Sequence, residues 1–179
     1  MGNSESRSTP QNEATGDAQF SFFSVVTIAG GTLVGGYLIL NSLGRPIEFH
    51  CTESLKPTRA QEILYGPTLI SFLYAEQLGR SLIAATKTKS QILFTDSEPA
   101  FDLRRIVDLP VMQVVDRETV DNAKAIEFSL GENLLRVLAE QPDDKHAATV
   151  QWRDHIGEWD LSEPFRRIHD AIAETHKAA

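Results

Sequence analysis

Residues 20–43 read FSFFSVVTIAGGTLVGGYLILNSL, 24 positions without a charged side chain. As an α-helix at about 1.5 Å per residue this stretch reaches about 36 Å, enough to cross a bilayer core of about 30 Å with some tilt. Helices buried in water-soluble domains rarely run this long uncharged, and the four glycines would weaken one in water. The length criterion therefore predicts a single transmembrane helix over 20–43. A cleaved signal peptide fits less well. Glu5, Glu13 and Asp17 precede the stretch against Arg7 alone, the reverse of a positive n-region, and no A-x-A pattern follows in 41–46.

Within this predicted helix, Gly31-x-x-x-Gly35 and Thr32-x-x-x-Gly36 overlap. Gly31, Thr32, Gly35 and Gly36 would leave one stripe nearly free of side chains, so another helix could approach to backbone contact. The partners this predicts are the lipid bilayer and an integral membrane protein, or a second copy of the same helix.

Outward from the stretch, the composition excludes some classes. At 179 residues, 41% hydrophobic and 23% charged, the chain is neither a disordered polyelectrolyte nor collagen-like. Lys plus Arg number 17 against 25 Asp plus Glu, a net charge of -8, which argues against a broad phosphate-neutralising face and predicts no nucleic-acid partner. One cysteine, Cys51, permits no intrachain disulfide, and with five scattered histidines no metal site or cofactor is expected. Residues 1–19 hold no aliphatic run and read as a disordered polar tail. Met1-Gly2-Asn3-Ser4-Glu5-Ser6 fits the N-myristoylation pattern at Gly2. That modification conflicts with the topology, because Arg45, Lys56 and Arg59 follow the anchor and favour a soluble domain on the cytoplasmic side of the membrane or its organellar equivalent.

Residues 44–179 form the predicted soluble domain; setting aside Arg7, Glu5, Glu13 and Asp17 leaves 16 basic and 22 acidic residues, a net of -6. Ile47, Phe49 and Cys51 alternate with Glu48 and His50, a half-buried strand. Thr58 and Gln61 fit a capping box opening a short helix that Gly66-Pro67 stops, and a second helix runs over about 68–78. SLIAAT and QILFTD flank Lys87-Thr88-Lys89-Ser90 as a hairpin, and FDLRRIV and VMQVV follow as strands. KAIEFSL and LLRVLAE form the clearest hairpin around Gly131-Glu132-Asn133. HAATVQWR satisfies both periods and is assigned to strand. Ser162, Glu163-Pro164 and the spacing of Phe165, Ile168, Ala171 and Ile172 open and carry an amphipathic C-terminal helix. The class is α+β: an antiparallel, barrel-like meander with two short helices early and one helix covering it at the end.

Chemistry-bearing motifs are sparse. No nucleophile elbow, P-loop, dinucleotide fingerprint or metal-binding pair of histidines or cysteines occurs. His50 and Cys51 are adjacent in a strand, so they point to opposite faces and cannot act together; Cys51 reads as a small core residue. Trp152, Asp154, His155 and Glu158 are the densest polar and aromatic cluster and the candidate ligand site. The blander reading of that run is a turn between packed indoles. Arg104-Arg105 and Arg166-Arg167 could meet lipid phosphates, a reading that the acidity of the domain opposes. Two functions follow: a non-enzymatic, membrane-anchored accessory or assembly subunit of a membrane complex, or an anchored enzyme or ligand-binding domain with its site at Trp152–Glu158.

Overall fold

The 24 uncharged residues are two strands, not one helix. In the computed structural model, which describes residues 18–116 and 124–177, β1 (Gln19–Ile28) and β2 (Thr32–Asn41) pair antiparallel from Gln19↔Asn41 to Ile28↔Thr32. The turn between them uses Gly30 and Gly31 at φ +76° and +73°, a conformation that side chains other than glycine's rarely adopt. The flanks suit strands: Val25, Val26, Thr27, Ile28, Thr32 and Val34 are β-branched, and Phe20, Phe22 and Phe23 are aromatic. No helix among the described residues is long and apolar enough to cross a membrane, so the transmembrane anchor, and the single-pass membrane location drawn from it, are withdrawn.

The absence of charge in 20–43 has a different cause. β1 and β2 lie inside a seven-stranded sheet of order β3-β2-β1-β4-β5-β7-β6 and are covered on both faces, the situation in which strands read as continuous apolar runs. β3 is Pro46–Cys51, β4 Ile92–Thr95, β5 Val111–Val115, β6 Ala125–Leu130 and β7 Asn133–Leu138. β1, β4 and β5 run parallel and the other neighbours antiparallel, so the sheet is mixed and open instead of an antiparallel meander or barrel.

Among the described residues, four helices complete the fold. α1 (Arg59–Tyr65) carries the expected Thr58–Gln61 capping box. α2 (69–85) joins Leu69–Ser71 and Arg80–Ala85 through a π-helical stretch, Phe72–Gly79. α3 (Asp143–Gln151) continues as a π-turn over Trp152–Ile156, and α4 (Glu163–Lys177) closes the chain. Phe23, Leu33, Tyr37 and Ile39 meet Leu73, Leu78 and Leu82 of α2 on one face of the sheet. On the other, Phe20, Phe22, Val34 and Leu38 meet Ala148 of α3 and Phe165, Ile168 and Ile172 of α4.

The glycines taken for a membrane-helix stripe sit on β2 and its turn. Neighbours on a strand face opposite sides. A Cβ on Gly35 would come within 3.1 Å of Leu82, in α2, and one on Gly36 within 2.4 Å of Ile168 Cγ2, in α4. Gly36 thus lets α4 lie directly on the sheet. Gly36→Ala should cost about 1–3 kcal/mol by forcing that helix outward; a denaturation midpoint equal to wild type would show that α4 has room to move.

Other expectations divide. The 125–138 hairpin, strands at 46–51, 92–95 and 111–115, and the C-terminal helix are present. SLIAAT instead ends α2, and FDLRRIV lies largely in a 3-10 segment (Glu98–Arg105) opened by Pro99. There Phe101 and Leu103 are buried and Arg104 pairs with Asp144, Nε to Oδ2 at 2.7 Å. HAATVQWR is helical: Ala148 and Ile156 bury one helical face, and Asp143 and Asp144 occupy the first turn, where carboxylates favour a helix. Cys51 is exposed, not a core residue. Glu48 accepts from His50 Nε2 (2.6 Å) and from the backbone N–H groups of Lys87 and Thr88 (each 3.0 Å); His50 first, then these amides, hold its carboxyl down to about 2. The tail, including Gly2, lies outside the described residues up to position 17, while Ala18 is buried and Gln19 opens β1.

Candidate functional site

Ligands of open sheets with parallel strands bind beyond the carboxyl ends of those strands. β4 ends at Thr95, and the next residue is Asp96. Its Oδ2 accepts from Ser24 Oγ of β1 at 2.8 Å and lies 3.4 Å from His169 Nε2 of α4. Ser24 Oγ and His169 Nε2 are themselves 2.8 Å apart. Ser24 has one proton; once it is donated to Asp96, the hydroxyl oxygen accepts, and Nε2–H of the imidazole is its donor. Burial pushes the Asp96 carboxyl above its ordinary range, against the opposing pull of Ser24 and of the His169 imidazole. Tyr74, in α2, is also raised, first by burial and in part by the charge of Asp96.

This trio is not a serine-hydrolase relay. Such a relay needs the serine on one ring nitrogen and the carboxylate on the other. Here both approach Nε2, and Ser24 is fully buried and bonded directly to the carboxylate. What remains for chemistry is Asp96 with His169, whose ring is about half exposed.

A cleft of about 920 Å³ runs from Asp96 and His169 past Asp116, at the end of β5, to Asn133, Trp152 and Trp159. Asn133 shapes its far wall. Its Nδ2 donates to Trp159 O (2.8 Å) and Leu130 O (3.2 Å), and its Oδ1 accepts from Leu161 N (2.9 Å), so the 157–161 turn is fixed to the β6–β7 turn. Gly131 sits at φ +58°, and a Cβ there would come within 2.8 Å of the Trp152 indole. Trp159 meets Phe20 edge-on at 6.0 Å.

Of the sequence candidates, Trp152 and Glu158 line the cleft and Asp154 and His155 do not. Asp154 is exposed and bonded to Arg153 at 2.6 and 3.1 Å; His155 tilts against Phe20 at 6.4 Å. Asp96, His169 and Ser24 were missed. One signal was available: in QILFTD an aspartate directly follows Ile92–Thr95, a short strand that is apolar except for Thr95.

Hydrolytic sites often use divalent cations held by converging carboxylates. No group of three His, Cys, Asp or Glu side chains suited to a metal converges among the described residues, and Asp96 is engaged by Ser24 and His169. These residues do not fit a resident cation.

The arrangement of strands and helices resembles that of solved endonuclease V structures. The catalytic domain of human endonuclease V superposes with a TM-score of 0.57 at 14% identity, over 92% of this chain and 86% of that one. Endonuclease V of Ciona intestinalis, solved with a 23-mer DNA containing an inosine followed by a ribo-adenosine, gives 0.51 at 9% identity, over 76% and 77%. No protein-family model matches the sequence, and no curated protein matches it. At these identities the likeness establishes the fold alone. Two earlier conclusions nonetheless fall. The membrane-complex accessory subunit loses its anchor to the β1–β2 hairpin, and net acidity no longer excludes nucleic acid, since the fold is shared with proteins solved on DNA. A net charge describes the whole chain and not the face that binds.

Proposed function

We propose that this chain binds single-stranded nucleic acid along the cleft and hydrolyses it, with Asp96 and His169 as the acid–base pair at the phosphodiester. The observation that carries this is the position of the pair: Asp96 at the carboxyl end of β4 and His169 on α4 above it, in the mouth of a cleft with two indoles, in a fold like that of endonuclease V. A carboxyl raised by burial exchanges its proton nearer to neutral pH than an exposed aspartate does, and an imidazole beside it can take the complementary role. The indole walls supply stacking for an unstacked base. Asp116 and Glu158 repel phosphates, but carboxylates also accept hydrogen bonds from exocyclic amino groups, so the inner cleft suits a base and the backbone stays at the rim.

A second reading, binding without cleavage, is favoured by the lack of a metal-suited group among the described residues. One experiment separates the two. Labelled single-stranded DNA and RNA, with and without inosine, are assayed for binding and cleavage against wild type, His169→Ala and Asp96→Asn. Each variant should lower the cleavage rate by about 10²–10⁴ while leaving affinity nearly unchanged. Few phosphate contacts also imply a shallow salt dependence of binding. Binding with no cleavage by wild type would establish the second reading, and absence of binding to every oligonucleotide would reject both.

A further inference from the structure

Ser24 interrupts an apolar strand face. Phe20 and Phe22 precede it on that face and Val26 follows, all packed into the core beneath α4. Its own side chain is fully buried, and a buried hydroxyl costs free energy unless its bonding is completed. Both of its bonds run to the pair in the cleft: Oγ donates to Asp96 Oδ2 at 2.8 Å and lies 2.8 Å from His169 Nε2. The fold brings α4 down to this point. Ser24 pairs with Gly36 across β1 and β2, and Ile168, the residue before His169, rests there so closely that a Cβ on Gly36 would be 2.4 Å from it. The absence of a side chain at Gly36 lets the helix come near enough for the His169 ring to reach the hydroxyl. Nε2 is thereby committed. Nδ1 has no partner among the described residues, and the ring, with its side chain 46% exposed, lines the cleft.

We propose that Ser24 is the positioning residue of the Asp96–His169 pair: it accepts the imidazole Nε2–H and so leaves Nδ1 as the nitrogen that exchanges a proton in the cleft. This rests on the acid–base reading of the cleft and assigns the atom through which it acts. Two proton arrangements are open to the same three groups. In one, an ionised Asp96 accepts from Ser24 and Ser24 accepts from Nε2–H, so Nδ1 carries the free lone pair. In the other, a protonated Asp96 donates to Ser24, Ser24 donates to Nε2, and the ring proton sits on Nδ1. The geometry favours the first. Nε2 also lies 3.4 Å from Asp96 Oδ2, so an N–H there meets two oxygen acceptors, whereas a lone pair there would face the lone pairs of a carboxyl oxygen. A proton taken up at Nδ1 leaves the Nε2–H bond in place, and the positive ring then lies beside the carboxylate, which stabilises it. Release of that proton from Nδ1 restores the starting state.

The test begins on the resting full chain and does not depend on cleavage. In nitrogen NMR of histidine-labelled protein, at a pH where the ring is neutral, the resonances lost in His169→Ala should show a protonated Nε2 and an unprotonated Nδ1. The Asp96 carboxyl, followed by carbon NMR and identified by its loss in Asp96→Asn, should titrate higher in Ser24→Ala than in wild type, because the bond that Ser24 donates favours the ionised form. The other titratable groups acting on that carboxyl, His169 on α4 and Tyr74 on α2, remain in the variant. On a cleaved oligonucleotide, Ser24→Ala should lower kcat by about tenfold or more with KM unchanged. A wild-type ring protonated on Nδ1, or a folded Ser24→Ala whose Asp96 titration matches wild type, would overturn the proposal. Should Ser24→Ala fail to fold, the wild-type ring proton decides alone. The expected ring proton and Asp96 titration without cleavage of any oligonucleotide would reject the phosphodiester reading while upholding the positioning role of Ser24.

Discussion

Phe22→Ala should lower the stability of the chain by about 3–5 kcal/mol. The Phe22 ring is fully buried, stacked on Phe94 of β4 with centroids 5.2 Å apart, and met edge-on by Phe165 of α4 at 5.6 Å. It therefore joins the amino-terminal strand, a parallel neighbour more than seventy residues later and the last helix. Alanine leaves a cavity bounded by three elements that cannot all close on it, which is the condition for a large loss. Set against the roughly 5–15 kcal/mol of a typical domain, this is a fifth or more of the total. Chemical unfolding followed by far-ultraviolet circular dichroism should show a lower midpoint with an unchanged slope. If residues 20–43 were a lipid-facing helix, the same substitution would leave the unfolding of a separate soluble domain untouched. An unchanged midpoint would thus count against the hairpin itself.

Asp144→Ala should cost a comparable amount, about 3–5 kcal/mol, through electrostatics. The carboxylate, with a side chain 4% exposed, accepts from Arg104 Nε at 2.7 Å and Nη2 at 3.1 Å. Arg104 Nη2 donates also to Gln141 Oε1 at 3.1 Å. The bond to Asp144 is the main cause that raises Arg104 further above its already high range. Removing Asp144 leaves a guanidinium 17% exposed and short of its counter-charge between α3 and the 3-10 segment. Asp144→Asn keeps an acceptor and should lose less. Replacing both partners by apolar residues, Arg104→Met with Asp144→Leu, should recover much of the loss, since the penalty lies in the unpaired charge more than in the absent bond. Thermal denaturation of the three variants checks the order; equal losses in all would show that packing, not charge, governs the site.

Legibility in the sequence followed how local each signal was. The C-terminal helix has its acidic residue and proline in the first turn and its apolar spacing within a dozen residues. The 125–138 hairpin has alternation on both sides of a glycine at positive φ. Both could be read directly. For 20–43 the apolar count is the same whether a segment is surrounded by lipid or by helices on both faces of a sheet, so composition alone could not decide. Gly30-Gly31 and the β-branched flanks carried the answer, but a test of length counts residues and ignores turns. The glycine pair at 35 and 36 does mark close helix approach, though on the two faces of a strand. In 146–153 strand and helix periods coincide, and burial of Ala148 and Ile156 on α3 and its extension settled it. The site was least legible. Ser24, Asp96 and His169 are separated by 72 and 73 residues, and only the parallel placement of β4 beside β1 and the crossing of α4 unite them.

Placing the first strand pair inside the sheet, under helices on both faces, also has a consequence for synthesis. The β1–β2 hairpin is the most apolar part of the chain and leaves the ribosome before the elements that cover it, α2 on one face and, on the Gly36 face, the final helix. At about 5–20 residues per second, the interval between Asn41 and Lys177 is on the order of ten seconds. Through that interval an uncharged, β-rich and largely proline-free segment stands open to solvent, the composition most prone to pairing with other chains. The nascent chain is thus the form most exposed to aggregation, and loss of α4 by a premature stop would make that transient condition permanent.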